Sequence, residues 1–255
     1  MKPVMNACTV QQELWDHVFT ESENYFGENP SVFAQQTLEL FRENDVRSII
    51  ETGCGQGRDT LLFAGEGIKV TALDYSIKAL DEIKVKAASS SLTPYVDPRC
   101  FDVRKPLPFE SESFDACYSH MLFCMELTMA EISCALSELH RVLKPGGLAV
   151  YSVRSIFDRH YRAGEHLGEN LYEVGKFAVH FFSEEKLRGL ASGFKIRAIE
   201  RVEEGALPRD LFCIVMEKCS TRYAPTFESC AVGNSRTDKV PFSRNRAHYH
   251  CPGGT

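Results

Sequence analysis

The sequence contains no run of eighteen apolar residues, and positions 1–10 lack both a basic cluster and an apolar stretch. Neither a membrane span nor a secretory leader is expected, so the expected location is cytoplasmic. Cys-x-x-Cys pairs are also missing, although ten cysteines stand at 8, 54, 100, 117, 124, 134, 213, 219, 230 and 251. That scatter excludes a zinc ribbon and a thioredoxin-like motif, and no resident metal is expected. Cys117, Cys134 and Cys213 fall in apolar runs, where a reduced cysteine serves as a small core hydrophobe. An excess of positive charge is absent too: 29 basic residues face 35 acidic ones, for a net charge of −6. No general attraction to a phosphate backbone or an anionic membrane follows, so neither nucleic acid nor membrane is expected as a partner.

What is present suits a soluble globular protein. Apolar residues make up 44% and charged ones 25%, enough to bury a core in one domain of about 200 residues plus ends. After a polar start, Asn29 and Pro30 read as an N-cap and first-turn proline of a helix carrying Phe33, Leu38, Leu40 and Phe41. Strand-like runs at 47–51, 69–74, 95–102, 114–119 and 147–153 alternate with helical spacing after 57, at 76–88 and after 128. Thr128 and Glu131 form a capping box, and Pro145 to Gly147 read as that helix's stop. Ser183 opens a further helix, and two last strands are expected at 195–202 and 210–217. Parallel neighbours need crossovers, so the expected fold is a doubly wound α/β domain with a mostly parallel sheet. The expected division is an extension at 1–28, a domain at 29–219 with a lid at 154–182, and a disordered tail at 220–255.

The central chemical signal is Glu51-Thr-Gly53-Cys-Gly55-Gln-Gly57-Arg58, set between the first strand and its helix. Glycines there allow a tight turn and let backbone N–H groups approach a ligand at the carboxyl edge of the sheet. The dinucleotide fingerprint needs a glycine three positions beyond Gly55, but Arg58 stands there. A P-loop is excluded because no Gly-Lys-Ser or Gly-Lys-Thr follows.

This segment resembles motif I of the class I S-adenosylmethionine-dependent methyltransferases, an acid followed by Gly-x-Gly-x-Gly. Asp74 at the end of the second strand, Asp102 with Val103 after the third, Ser113-Phe-Asp115, and the run Leu139 to Gly147 are similar to the later family motifs in order and spacing. The resemblance covers roughly 48–218 and implies a seven-stranded Rossmann-like fold that binds S-adenosylmethionine and releases S-adenosylhomocysteine. Within it, Asp74 would hold the ribose hydroxyls, for which a carboxylate is suited. Asp102 would meet the adenine amino group, and Glu51 the amino group of the methionine part. Gly53, Cys54, Gly55, Gly57, Arg58, Tyr75, Val103, Ser119 and His120 would complete the cofactor site, and Asp115 would serve the fold.

Methyl transfer is an in-line displacement in which positioning supplies about 7–11 kcal/mol and a base roughly 3–5, so the acceptor decides whether a base is needed. The interval 154–182 concentrates ionisable and aromatic groups. His120, His160 and His166 are the candidate catalytic residues, and Arg154, Tyr161, Tyr172 and His180 the candidate acceptor contacts. Asn-Pro-Pro-Tyr, Asp-Pro-Pro-Tyr and Pro-Cys are all absent, which disfavours planar amide, adenine N6 and cytosine C5 methylation. The Gly-Arg-Asp-Thr-Leu run after motif I resembles small-molecule enzymes of the tellurite-resistance and thiopurine type. The expectation is therefore methyl transfer to a small-molecule acceptor. A protein or RNA acceptor, docked through the basic segment from Arg222 to Arg246, and a non-catalytic S-adenosylmethionine-binding partner are the alternatives.

Overall fold

Ile49 and Ile50 are both fully buried, on opposite faces of the middle of a seven-stranded sheet. The computed structural model describes residues 7–204 and 209–219, with side chains from Gln11 onward. Along the chain come α1 (Ala7–Glu21), α2 (Val32–Glu43), β1 (Ser48–Thr52), α3 (Arg58–Gly65), β2 (Lys69–Asp74), α4 (Ile77–Ser89), β3 (Val96–Cys100) and β4 (Phe114–His120). These are followed by α5 (Met129–Val142), β5 (Leu143–Arg154), β6 (His166–Gly168), β7 (Leu171–Val174), β8 (Phe177–His180), α6 (Glu184–Gly189), β9 (Phe194–Glu204) and β10 (Arg209–Lys218).

The sheet order is β3-β2-β1-β4-β5-β10-β9, with the first five strands parallel and β10 antiparallel to both its neighbours. The strand order reverses between β1 and β4, so their carboxyl ends open a crevice there. Parallel strands covered on both faces read as continuous apolar runs, as Ala149 to Val153 do. One core layer packs α2, α3 and α4 on Ile49, Val70, Tyr118 and Val150; the other packs α5 and α6 on Ile50, Cys117, Tyr151 and Ile214. Asp115 accepts hydrogen bonds from the backbone N–H groups of Arg47 and Ser48 and pairs with Lys144, tying the start of β1 to β4 and β5.

Several local expectations are corrected. The cap of α2 is Ser31, whose side chain accepts from Ala34 N–H, because Asn29 and Pro30 lie in the approach to the helix. The Thr128 and Glu131 capping box is present, but α5 ends at Val142, and Pro145 to Gly147 lie within β5. Cys117 and Cys213 are buried, whereas Cys134 sits on the exposed face of α5. The start of the chain is not featureless: α1 packs on α4 and ties to the β2–α4 turn through Gln12, which donates to the Tyr75 carbonyl. The interval 154–182 carries its own three-stranded antiparallel sheet, β6-β7-β8. The segment 220–255 lies outside the described residues.

Candidate functional site

The loop after β1 turns on three glycines with positive φ, Gly53 (73°), Gly55 (50°) and Gly57 (82°). A Cβ at Gly53 would stand 2.8 Å from Leu122 Cβ, and one at Gly57 would stand 2.5 Å from Ile83 Cγ1. Glycine is thus required for backbone conformation and for close packing on α4. Gly53 and Cys54 N–H both donate to the Leu73 carbonyl, at 2.8 and 3.1 Å. Asp74 takes a hydrogen bond from Gly55 N–H on one oxygen and from Ser76 N–H on the other, each 2.9 Å long. Its carboxylate is fixed at the mouth of the crevice, and burial raises its pKa.

Glu51 is 3% exposed, and its one recorded hydrogen bond comes from Thr60 Oγ at 2.6 Å. Burial pushes this carboxyl up to about 8, with Asp59 and Asp74 adding to the rise and the Thr60 hydrogen bond opposing it. Glu51 makes no ion pair among the described residues, and the Arg58 guanidinium only partly offsets the rise; a buried carboxyl of this kind facing a cavity suits a ligand's ammonium group. Glu51, Gly53, Cys54, Gly55, Arg58, Asp74, Tyr75 and His120 all line one cavity of about 270 Å³. A second hollow of about 20 Å³ lies between Leu73, Phe101, Val103 and Leu122, beside Asp74. These residues fit S-adenosylmethionine, with a carboxylate pair for hydroxyls and ammonium and a glycine cradle; Phe101, Val103 and Leu122 offer apolar contact beside Asp74, where the 20 Å³ hollow has room for about one water.

At its other end the cavity reaches Arg154, His160 and Arg209. Arg154 is 7% exposed and donates through Nε and Nη2 to the two oxygens of Asp158, at 2.8 and 2.6 Å. His160 Nδ1 stands 3.1 Å from Asp158 Oδ1 and 2.9 Å from Arg154 Nη2. His120 Nδ1 lies 2.7 Å from Ser152 Oγ, its Nε2 is 3.5 Å from a Glu204 oxygen, and its ring stacks on Phe33. Burial lowers the His120 pKa despite Glu204 and Asp59, so the ring is neutral near pH 7. Met121, next to it, holds a left-handed φ of 60°, a strained bend on the cavity wall.

The structure gathers only some of the candidate acceptor contacts. Arg154 and the catalytic candidates His120 and His160 line the cavity, whereas the catalytic candidate His166 and the acceptor candidates Tyr161, Tyr172 and His180 are not among its lining residues. His166 packs on Tyr172 and reaches the Glu169 carbonyl, and Tyr172 packs on Tyr161 and Phe181. His180 is fully buried between the Leu127 carbonyl and Lys186 Nζ, each 2.8 Å away. Among the cofactor candidates, Gly57 serves packing, and buried Ser119 donates to the Thr52 carbonyl. Asp102 takes hydrogen bonds from Arg104, while Val103 lines the smaller hollow. Among the described residues, no group of three or more His, Cys, Asp or Glu could hold a metal ion.

Sequence reasoning missed the roof. Trp15 and Phe19 from α1, then Tyr25 and Phe26, cover the cavity, and Phe177 of β8 closes it from the lid side. The Trp15 ring lies 4.8 Å from Phe177 and 5.3 Å from Phe19. A signal existed in the i, i+4 spacing of Trp15 and Phe19, but nothing local marks Phe177 as their partner. Asp59 was missed as well. It accepts from Ser31 N–H, Ser31 Oγ, Tyr118 OH and Arg58 Nε, and against the opposing effect of burial the Arg58 guanidinium first, then these hydrogen bonds, hold its pKa low.

Residues 49–147 match the family model described as a methyltransferase domain. Over 133 residues the chain is 32% identical to malonyl-[acyl-carrier protein] O-methyltransferase of Erwinia pyrifoliae, covering 51% of this chain and 46% of that protein. Over 198 residues it is 30% identical to a tRNA N(3)-methylcytidine methyltransferase of Schizosaccharomyces pombe, covering 70% and 62%. The chain spans about half the length of the curated relatives it matches. The fold resembles that of 1,6-didemethyltoxoflavin-N1-methyltransferase from Burkholderia thailandensis, solved with S-adenosylhomocysteine, at a TM-score of 0.66 and 18% identity, covering 86% of this chain and 94% of that one. A methyltransferase structure from Methanosarcina mazei gives a TM-score of 0.62 at 21% identity, covering 71% and 97%.

Proposed function

We propose that this chain, whose residues 49–147 form a methyltransferase domain of the S-adenosylmethionine-dependent class I kind, methylates a small molecule held in its central cavity. One observation carries the acceptor class: the cavity that begins at Glu51 and Asp74 and ends at Arg154 and His160 is roofed by the chain itself, from α1 and from β8. S-adenosylmethionine supplies an electrophilic methyl group on a sulfonium. Asp74 would hold its ribose hydroxyls, Glu51 its ammonium group and Val103 would contact its adenine. The aromatic roof excludes water, and positioning supplies most of the rate.

His160 is the proton acceptor in this reading. Arg154 Nη2, 2.9 Å from Nδ1, can only donate, so the base role uses the tautomer in which Nδ1–H turns to Asp158 Oδ1, 3.1 Å away, and Arg154 keeps to Asp158. Nε2 then takes the proton from an acceptor hydroxyl or amine as its bond to the methyl carbon forms and the sulfonium S–C bond breaks. Asp158, itself clamped by Arg154, sets the ring. His120 is left a positioning role, since both its nitrogens already face Ser152 and Glu204.

The long match to a tRNA methyltransferase favours a second reading, an RNA base as acceptor. Incubating the protein with methyl-labelled S-adenosylmethionine and either a cell metabolite extract or bulk tRNA separates the two by where the label appears. Label in tRNA alone overturns the small-molecule reading. Asp74→Ala is expected to abolish S-adenosylhomocysteine binding in calorimetry. His160→Gln is expected to lower turnover about 10²–10⁴-fold with cofactor affinity unchanged; equal loss of both removes it as the base.

A further inference from the structure

We infer that the acceptor is a flat aromatic acid, its ring lying against the Trp15 wall and its carboxylate held by Arg154 and Arg209. The inference rests on the methyltransferase reading and adds the chemistry of the second substrate. One wall of the cavity is aromatic. Trp15 is surrounded by the rings of Phe19, Tyr25, Phe26 and Phe177, with centroids between 4.8 and 6.3 Å. Such a surface favours a planar π-face over an aliphatic chain.

The opposite end is cationic, with Arg154 buried and Arg209 partly exposed. Arg154 spends Nε and Nη2 on Asp158, which leaves Nη1 without a protein acceptor among the described residues. Arg209 lines the same cavity, and its guanidinium makes no ion pair or hydrogen bond among the described residues. Carboxylates around this end have other partners: Asp158 is held by Arg154, Asp59 by Arg58, Ser31 and Tyr118, and Glu204, the strand partner of Arg209, lies 3.5 Å from His120 Nε2. One guanidinium therefore faces the cavity in excess, and a carboxylate takes paired donors of that kind. A cationic acceptor would meet the arginines unfavourably and an aliphatic one would forgo the ring contacts, so each leaves one wall unsatisfied. The same placement brings a ring hydroxyl or amine next to the anchored carboxylate toward His160, so one ligand uses all three features.

Trp15 is the single tryptophan of the chain, so its fluorescence reports directly on this wall. The protein is first saturated with S-adenosylhomocysteine, followed separately by calorimetry. It is then titrated with salicylate and anthranilate, and with salicylamide, cyclohexanecarboxylate and benzylamine as controls. Saturable quenching by the aromatic acids is expected, with at least about tenfold weaker binding of each control. Arg209→Met is expected to weaken salicylate about tenfold while leaving S-adenosylhomocysteine affinity within about twofold, and Phe177→Ala to weaken it several-fold. Arg209 and Phe177 are partly exposed, so neither variant is expected to compromise folding. No saturable signal, or equal binding of the amide or the cyclohexane acid, overturns the acceptor class although the cofactor still binds. Failure of S-adenosylhomocysteine itself to bind overturns the methyltransferase reading instead.

Discussion

Glu51 concentrates the conflict between folding and function in one carboxyl group. Folding removes it from water with the Arg58 guanidinium only partly offsetting the cost, and its pKa rises to about 8, so near pH 7 the protonated form predominates in the free protein. A ligand ammonium restores the missing counter-charge and lowers that pKa, so binding should release a proton. Calorimetry of S-adenosylhomocysteine binding at pH 7, in buffers of different ionisation enthalpy, is expected to show net proton release that falls away as the pH is raised past the Glu51 pKa of about 8. Glu51→Gln keeps the hydrogen bond from Thr60 and removes the titration. It is expected to weaken cofactor binding about 10- to 100-fold. In the same variant, the ligand-free protein at pH 9 should gain about 1–3 kcal/mol, because no charge is left buried, whereas at pH 5 it should gain little. A variant that loses stability at pH 9 would mean that Glu51 already has a cationic partner.

Among the elements, α1 and the small lid sheet convert an open crevice into a cavity. The helix is anchored on the β2–α4 turn, where Gln12 reaches the Tyr75 carbonyl and Asp16 accepts from Ser76 Oγ, and it carries Trp15 and Phe19 over the glycine loop. Deleting residues 1–21 is expected to leave the seven-stranded sheet folded by far-ultraviolet circular dichroism, because α1 supplies no strand and little of the two main core layers. S-adenosylhomocysteine affinity should nevertheless fall at least about tenfold, or about 1.4 kcal/mol. Undiminished affinity would show that α1 plays no part in holding the cofactor. The sequence made the loop side of this site legible and the roof side not, for a physical reason. A turn needing φ of +73° at Gly53 and no Cβ beside Leu122 restricts the residue at that position. An acid closing β2 has a direction set by the strand. The ring partners of Trp15 instead depend on tertiary approach, since Phe177 lies on a lid strand far along the chain. His166 and His180 show the same limit. Their residue types suit a site, but β6 turns one outward, and β8 buries the other under Leu127 and Lys186.

Across the whole molecule these ionisations set opposing slopes in stability. His120, His140 and His180 have pKa values lowered chiefly by burial, so the unfolded chain binds more protons below about pH 6.5 and stability falls as the solution is acidified. Asp59, Asp115 and Asp158 are held low by their partners against the opposing effect of burial, so their contribution is present above about pH 4 and is lost on further acidification. Glu51 acts the other way. Its folded pKa lies above the unfolded value, so its contribution is complete below about pH 4.5 and disappears as pH rises toward 8. The ligand-free protein is therefore expected to melt highest near about pH 6.5. Cofactor binding should lift the alkaline side most, because at pH 6 binding must first strip a proton from Glu51, whereas at pH 8.5 most of the protein is already ionised. The ionised fraction rises steeply over that interval, and affinity should rise with it. Thermal melts at pH 6 and 8.5, with and without a fixed excess of S-adenosylhomocysteine, measure this directly. The ligand-induced shift in Tm should be larger at pH 8.5 in the wild type and equal at the two pH values in Glu51→Gln. A wild-type shift that is equal at both would remove Glu51 as the group linking cofactor binding to protons.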